Sequence, residues 1–380
     1  MVFLSSFRFV AILTSMVFVV VFSFSPCVFG ADYAYSYWVL DHPDGSDRRE
    51  LNVSVSSSLY DYFVGKDHDL GSGYDFGKFV TPYALKPIAD CLRSVYGDDE
   101  DFANGVLMIV HQTPYEASAP QKFPVETLAE NVGDCDLFSF VAASVMMAGG
   151  LDVVLLFYES EAHMNVGVSL SHAPNDARSS ATYFSYNGQR YYVAETTGGE
   201  WETGWRVGEC PDSFQGASAQ VVTLEDAEQV SPGQVSASFG ALMGSSSITL
   251  SLSSGFVVEG GSVSVRGSVS PVSADGVVTI YVRSSGGNFS WTVLSTVSCD
   301  SGGRYSYEWW PASSGLYFVR ASWPGDVDHA GADSSVGSVR VVSSSLVMLG
   351  LAAVVLVAVA LVVYAVSRRV GRVNEYPIVQ

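Results

Sequence analysis

Basic residues are scarce in this sequence: 19 Lys and Arg stand against 39 Asp and Glu in 380 residues, a formal net charge of −20. So acidic a chain repels phosphate backbones and anionic headgroups, which excludes nucleic acid as a partner. Cysteine is also sparse. Cys27 sits in an N-terminal apolar segment, and Cys91, Cys135, Cys210 and Cys299 are too few for a disulfide framework. Asp134, Asp136, His163 and Glu195 offer oxygen and nitrogen ligands, but their spacing matches no closed zinc pattern. Neither a metal nor a cofactor is expected.

Charge is missing from two long runs. Residues 9–24 are mostly Phe, Val, Ile and Leu behind the lone Arg8, and Val28 and Gly30 precede Ala31 at the spacing of a signal-peptidase site. Residues 1–30 are therefore expected to be a signal peptide. Residues 346–366 carry no charge, and Arg368, Arg369 and Arg372 follow at once. This pattern predicts one transmembrane helix, a cytoplasmic tail over 367–380, and an otherwise extracellular single-pass protein of the cell membrane. The triplets beginning at Asn52 and Asn288 are glycosylation sequons, consistent with export.

What lies between divides by composition. Residues 31–104 form an N-terminal accessory region and 105–210 a core. Residues 211–247, rich in Ser, Gly, Ala and Gln, read as a linker, and short alternating runs over 248–342 predict a β-sandwich. Within 84–112, Ile88, Cys91, Leu92 and Val95 share one helical face, and Phe102, Val106, Ile109 and Val110 make a second stripe.

The chemistry gathers in 133–196. Gly133-Asp134-Cys135-Asp136 precedes an apolar stretch that Gly149-Gly150 ends, which predicts a buried helix with Asp134 as N-cap and Cys135 in its first turn. Unpaired amides and the helix dipole favour a thiolate there. His163 opens a strand in which Met164, Val166 and Val168 alternate with Asn165 and Gly167, so it falls on the polar or small face. Asn187-Gly188 signals a hairpin, with Glu195 at its far end. A thiol, an imidazole and an acid in this arrangement suit acyl transfer. His42, His68, His111, His172 and His329 read as surface residues.

The segment Phe123-Pro124-Val125-Glu126-Thr127-Leu128, the Gly-Asp-Cys-Asp turn, the His163–Val168 strand, and residues 191–197 with Trp205 and Gly208-Glu209 resemble transglutaminase-like proteins exported by archaea and bacteria. The resemblance covers roughly residues 105–210. It implies an α+β, papain-like core in which a Cys-bearing helix packs on an antiparallel sheet. Cys135 is then the nucleophile, His163 the base and Glu195 the orienting acid, where the family more often has Asp. Gln112 is a candidate oxyanion donor beside the Cys135 amide; a solvated helix end accounts for it equally well. Gly315-Leu316-Tyr317-Phe318-Val319-Arg320-Ala321 with Trp323-Pro324-Gly325-Asp326 resembles a strand and turn of prokaryotic immunoglobulin-like domains.

The resulting expectation is a membrane-anchored thiol enzyme acting on carboxamide or peptide bonds, with peptidase or amidase activity favoured over cross-linking. Its partner is a peptide or protein substrate at the cell surface. The competing expectation is an inactive binding or adhesion protein on the same scaffold.

Overall fold

The computed structural model describes residues 33–71, 75–117, 119–228, 231–239, 244–272, 276–285, 291–326 and 328–373. The expected signal peptide, the Asn288 sequon and the tail beyond residue 373 lie outside them. Strands β1 (Tyr33–Leu40) and β2 (Arg48–Val55) form an antiparallel hairpin, and β8 (Ser236–Phe239) pairs with the other edge of β2. Asn52 lies inside this sheet, 4% exposed and accepting from Ser36 Oγ at 2.6 Å, so its sequon is not an accessible acceptor.

Helices follow: α1 (Ser57–Val64), α2 (Pro82–Val95), α3 (Asp99–Val110), α4 (Pro124–Glu130) and α5 (Cys135–Ala148). The two apolar stripes belong to separate helices, because the Asp98 carboxylate caps α3 by accepting from the Glu100 and Asp101 amides at 2.8 and 3.4 Å. Asp99, Glu100 and Asp101 then occupy the first turn, where acids are favoured. Helix α5 is apolar all round because it is enclosed: α2, α3 and α4 pack around it and a sheet lies beneath. Its Leu137, Phe140, Ala142 and Met146 are at most 1% exposed. Each of the larger side chains contributes about 1.5–3 kcal/mol by leaving water.

That sheet is antiparallel, in the order β5 (Tyr183–Tyr186), β6 (Gln189–Ala194), β4 (His163–Val168), β3 (Val153–Tyr158), β7 (Gln220–Val222). The β5–β6 turn places Asn187 and Gly188 at φ 49° and 82°, the positive values a two-residue hairpin requires. Alternation sorts the faces. Met164, Val166 and Val168 join the core containing α5, whereas Val154, Leu156, Tyr158 and Val193 pack with Cys210 on the opposite face.

The expected linker is largely built into this body. Gln220–Val222 extends the sheet through β3, Ser236–Phe239 pairs with β2, and Phe214 and Ala217 cover the second face. Residues 33–55 share the same core, so neither 31–104 nor 211–247 stands apart from 105–210.

The remaining strands make a two-sheet sandwich. One sheet contains β9 (Ser247–Ile248), β10 (Ser251–Leu252), β12 (Val263–Ser270) and β15 (Arg304–Trp309). The other contains β11 (Phe256–Val258), β13 (Val277–Ser284), β14 (Thr292–Ser298), β16 (Gly315–Gly325), β17 (Ala330–Asp333) and β18 (Gly337–Val342). Val265, Ile280, Val319 and Trp323 fill the space between. The sandwich docks on α1: Asp333 accepts from Ser58 N and Oγ at 2.6 and 2.5 Å, and Arg320 meets Asp61 at 3.0 Å.

Two expectations are overturned. Among the described residues more lie in strands than in helices, and the fold is mainly β rather than the α+β class anticipated; the accessory and linker regions supply strands that their composition did not signal. The stretch 346–366 falls in α6 (Ser344–Val373), yet among the described residues no helix is long and apolar enough to cross a membrane. Single-pass anchoring in a cell membrane is therefore not supported.

Candidate active site

The site is built where α5 begins. Gly133 donates to Pro114 O at 3.2 Å while its own carbonyl accepts from Glu116 N at 2.8 Å. A Cβ at Gly133 would lie 3.0 Å from the Phe138 ring and 3.1 Å from Leu137 Cβ, so a side chain there would crowd the first turn of α5. Asp134 caps the helix, accepting from Leu137 N at 3.3 Å. Cys135 is thereby held in the first turn, 8% exposed.

Ser139, one turn further on, fixes this end of the helix to the sheet. Its hydroxyl lies 2.7 Å from Cys135 O, 3.1 Å from Met164 O and 3.0 Å from Thr196 Oγ1. One side chain thus joins the Cys135 turn to the residue after His163 and the residue after Glu195. The Cys135 sulfur itself faces the Met164 amide.

His163 and Glu195 meet on one face of the sheet. Val166 pairs with Ala194, so continuing the register sets Asn165 opposite Glu195 with His163 diagonal to it, within cross-strand reach. Glu195 is fully buried, and its carboxylate accepts from His163 Nε2 at 3.0 Å, Asn165 Nδ2 at 3.1 Å, Thr197 N at 2.9 Å and Thr197 Oγ1 at 2.6 Å. Burial pushes its pKa up, but these hydrogen bonds, led by His163, hold it below the usual carboxylate range. The His163 ring stacks on Phe214 with centroids 4.4 Å apart and planes 12° apart. Its Nδ1 has no hydrogen-bond partner among the described residues.

The thiol differs from expectation. Cys135 Sγ donates to Asp136 Oδ1 at 3.5 Å, and no hydrogen bond joins it to His163 among the described residues. Burial first, then the Asp136 charge, pushes the thiol up to about 12. The helix dipole favours a thiolate by only about 0.3–1 kcal/mol, too little to offset both. Asp136 is itself raised, by burial and by Asp134, and Gln121 and His163 lie close enough to oppose that rise.

Gln112 does not belong to this site. Its side chain closes on β1, accepting from Trp38 N at 2.9 Å and donating to Trp38 O and Met108 O at 2.7 and 2.8 Å. His111 is half-buried rather than a free surface residue: its Nε2 lies 2.9 Å from the Glu195 carbonyl, and burial lowers its pKa. His68 pairs with the buried Glu126 at 2.9 Å. Among the described residues, two groups could share an ion, His42–Asp101–Asp176 and Asp98–Glu100–His172, both at the start of α3. In the first, His42 Nδ1 accepts the Asp44 amide at 3.1 Å, leaving the proton on Nε2 and no lone pair there for a metal.

Asn165, Thr197, Ser139 and Phe214 are the participants that sequence reasoning missed. Asn165 was within reach, since alternation places it on the face of His163. Phe214 lay in a stretch with no periodic signal.

No protein-family model matches the chain, nor does any curated protein. Among solved structures it is similar to the CARDB domain of the PF1109 protein from Pyrococcus furiosus, in complex with di-metal ions, at 15% identity over 26% of this chain and 87% of that one, TM-score 0.19. A chitin binding domain from Burkholderia pseudomallei matches at 15% identity, 23% and 55% coverage and TM-score 0.19. The sulfur carrier protein SoxY from Chlorobium limicola f thiosulfatophilum matches at 18% identity, 25% and 77% coverage and TM-score 0.17. None of these is transglutaminase-like, and at such TM-scores none carries an argument about this protein.

Proposed function

We propose that this protein is a transglutaminase-like thiol enzyme acting on carboxamide or peptide bonds through Cys135, His163 and Glu195. One observation carries the proposal: Glu195, fully buried, accepts a hydrogen bond from His163 Nε2–H, which leaves Nδ1 with the lone pair a general base needs. In the reaction, Sγ leaves Asp136 and gives its proton to Nδ1. The thiolate adds to the carbonyl carbon, and the Cys135 amide, in the first turn of α5 and without an intrahelical acceptor, faces the developing oxyanion. Collapse expels ammonia or an amine, which takes the proton from His163. Water that surrenders a proton to Nδ1, or a primary amine, then cleaves the thioester and restores the thiol.

The Asp136-bound, raised thiol favours a second possibility, an inactive binding scaffold. Incubation with glutamine peptides, with and without a primary amine, followed by intact-mass analysis and ammonia detection, separates the two. The enzyme gives a thioester at Cys135 and released ammonia, both lost in Cys135→Ala and reduced about a thousandfold in His163→Ala. Absence of adduct and product from the unmodified protein across peptide and carboxamide substrates leaves the scaffold.

A further inference from the structure

A cavity of about 480 Å³ opens beside the site and has no part in the chemistry above. Tyr35 and Tyr37 of β1 form one wall, Glu200 and Trp201 another, and His111 and Asn131 belong to its lining. One contact and two short stretches of chain connect it to the reacting groups. His111 touches the Glu195 carbonyl through Nε2 at 2.9 Å. Glu200 and Trp201 follow Thr197, which is bonded to the Glu195 carboxylate. Asn131, held in the left-handed region at φ 51°, ends α4 just before the Gly133-Asp134 turn.

The charge of the walls selects the occupant. Glu200 supplies a carboxylate, and no Lys or Arg is among the lining residues. Burial keeps the His111 pKa low, so that wall is uncharged at neutral pH. Arg48, outside the lining, stands 5.7 Å over the Trp201 ring and is paired with Glu202. The ring thus already accepts a guanidinium, and the Arg48 charge is neutralised. Aromatic faces with a single carboxylate, in a chain of net charge −20, are complementary to a cation carried on an aliphatic stem.

We propose that this cavity receives the lysine or arginine side chain of a peptide substrate. The word substrate rests on the thiol-enzyme proposal; the binding does not. A basic residue seated between Tyr35, Trp201 and Glu200 directs its peptide backbone toward the Cys135 turn, so the cavity acts as a specificity site for an amide near a basic residue.

The test uses the full chain carrying Cys135→Ala, so that binding is read without turnover. Calorimetric titration compares blocked tripeptides with Lys, Arg or norleucine at the centre, and a chito-oligosaccharide as the neutral ligand that aromatic and amide walls also suit. The Lys and Arg peptides bind about tenfold or more tighter than the norleucine peptide, and Glu200→Gln or Trp201→Leu removes that advantage. Glu200 is exposed, so Glu200→Gln decides the matter even if the Trp201 variant fails to fold. Equal affinities for Lys and norleucine, no binding of any peptide, preference for the oligosaccharide, or an advantage unchanged in Glu200→Gln overturns the proposal. A protein that forms no thioester yet keeps the Lys preference refutes the enzyme alone; thioester formation without the preference refutes the cavity alone.

Discussion

Replacing Glu195 by Gln keeps the shape of the most buried group in the site and removes its charge. Every neighbour of the carboxylate is a donor: His163 Nε2, Asn165 Nδ2, Thr197 N and Thr197 Oγ1. The new NH₂ therefore faces donors whichever way the amide is turned. Asn165 can adapt, because its Oδ1 has no hydrogen-bond partner among the described residues and rotation of the amide brings that oxygen onto the new N–H. His163 can go on donating from Nε2 to the oxygen that remains, since both carboxylate oxygens lie 3.0–3.1 Å away, but without the charge that stabilises its imidazolium; it can also accept the new N–H at Nε2, which moves its proton to Nδ1. The nitrogen that must take the Cys135 proton is then occupied.

The expected loss in kcat/KM is about 10³–10⁴-fold, the scale for a triad whose acid is replaced by its amide. Losing charge-assisted hydrogen bonds, partly offset by Asn165, costs about 2–4 kcal/mol of stability near neutral pH. The sign of the pH dependence follows from the depressed folded pKa of Glu195. The carboxylate contributes its full stabilisation above the unfolded value of about 4.3 and loses it as pH falls through the folded value. The wild-type advantage in urea unfolding is therefore full at neutral pH and shrinks in acid. Full activity in Glu195→Gln, or an advantage that does not change on acidification, refutes the mechanism built on this pair.

Asp136→Asn removes the charge nearest the thiol and speeds iodoacetamide labelling of Cys135 about tenfold at mildly alkaline pH; an unchanged rate, followed by mass spectrometry, places the cause in burial alone. Gln112→Ala lowers stability by about 1–2 kcal/mol, measured by urea unfolding, through loss of its three hydrogen bonds to Trp38 and Met108. Its kcat stays within about twofold of wild type, where an oxyanion donor would lose far more. Ser139→Ala costs about 1–3 kcal/mol by leaving buried oxygens without their donor, and near-neutral stability in that variant shows that Ser139 does not anchor α5 to the sheet.

How much could be read in advance varies by element. The 135–148 helix was legible because an Asx cap, an apolar run and a glycine stop are signals local to the chain. The β5–β6 turn was legible because Asn-Gly suits two positive φ values. Residues 211–247 were misread as a linker because strands as short as Gln220–Val222 and Ser236–Phe239 are stabilised by the strands they join, not by their own composition. Gln112 was misassigned for a similar reason: a glutamine near a cysteine in sequence can spend its amide on a strand far away in the chain.

The sequence alone determined which residues stand at element ends and on which face they fall: Cys135 in a first turn, His163 opening a strand, Glu195 closing a hairpin. Caps, periodicity and turn chemistry act over a few residues, so they are written locally. Only the tertiary structure decided how those ends are aimed. Burying Glu195 beneath His163, Asn165 and Thr197 set the imidazole tautomer. Placing Cys135 against Asp136 and away from water held the thiol neutral, against the helix dipole. Hydrogen-bond partnership and desolvation depend on groups brought together from distant parts of the chain, and local pattern carries no record of them.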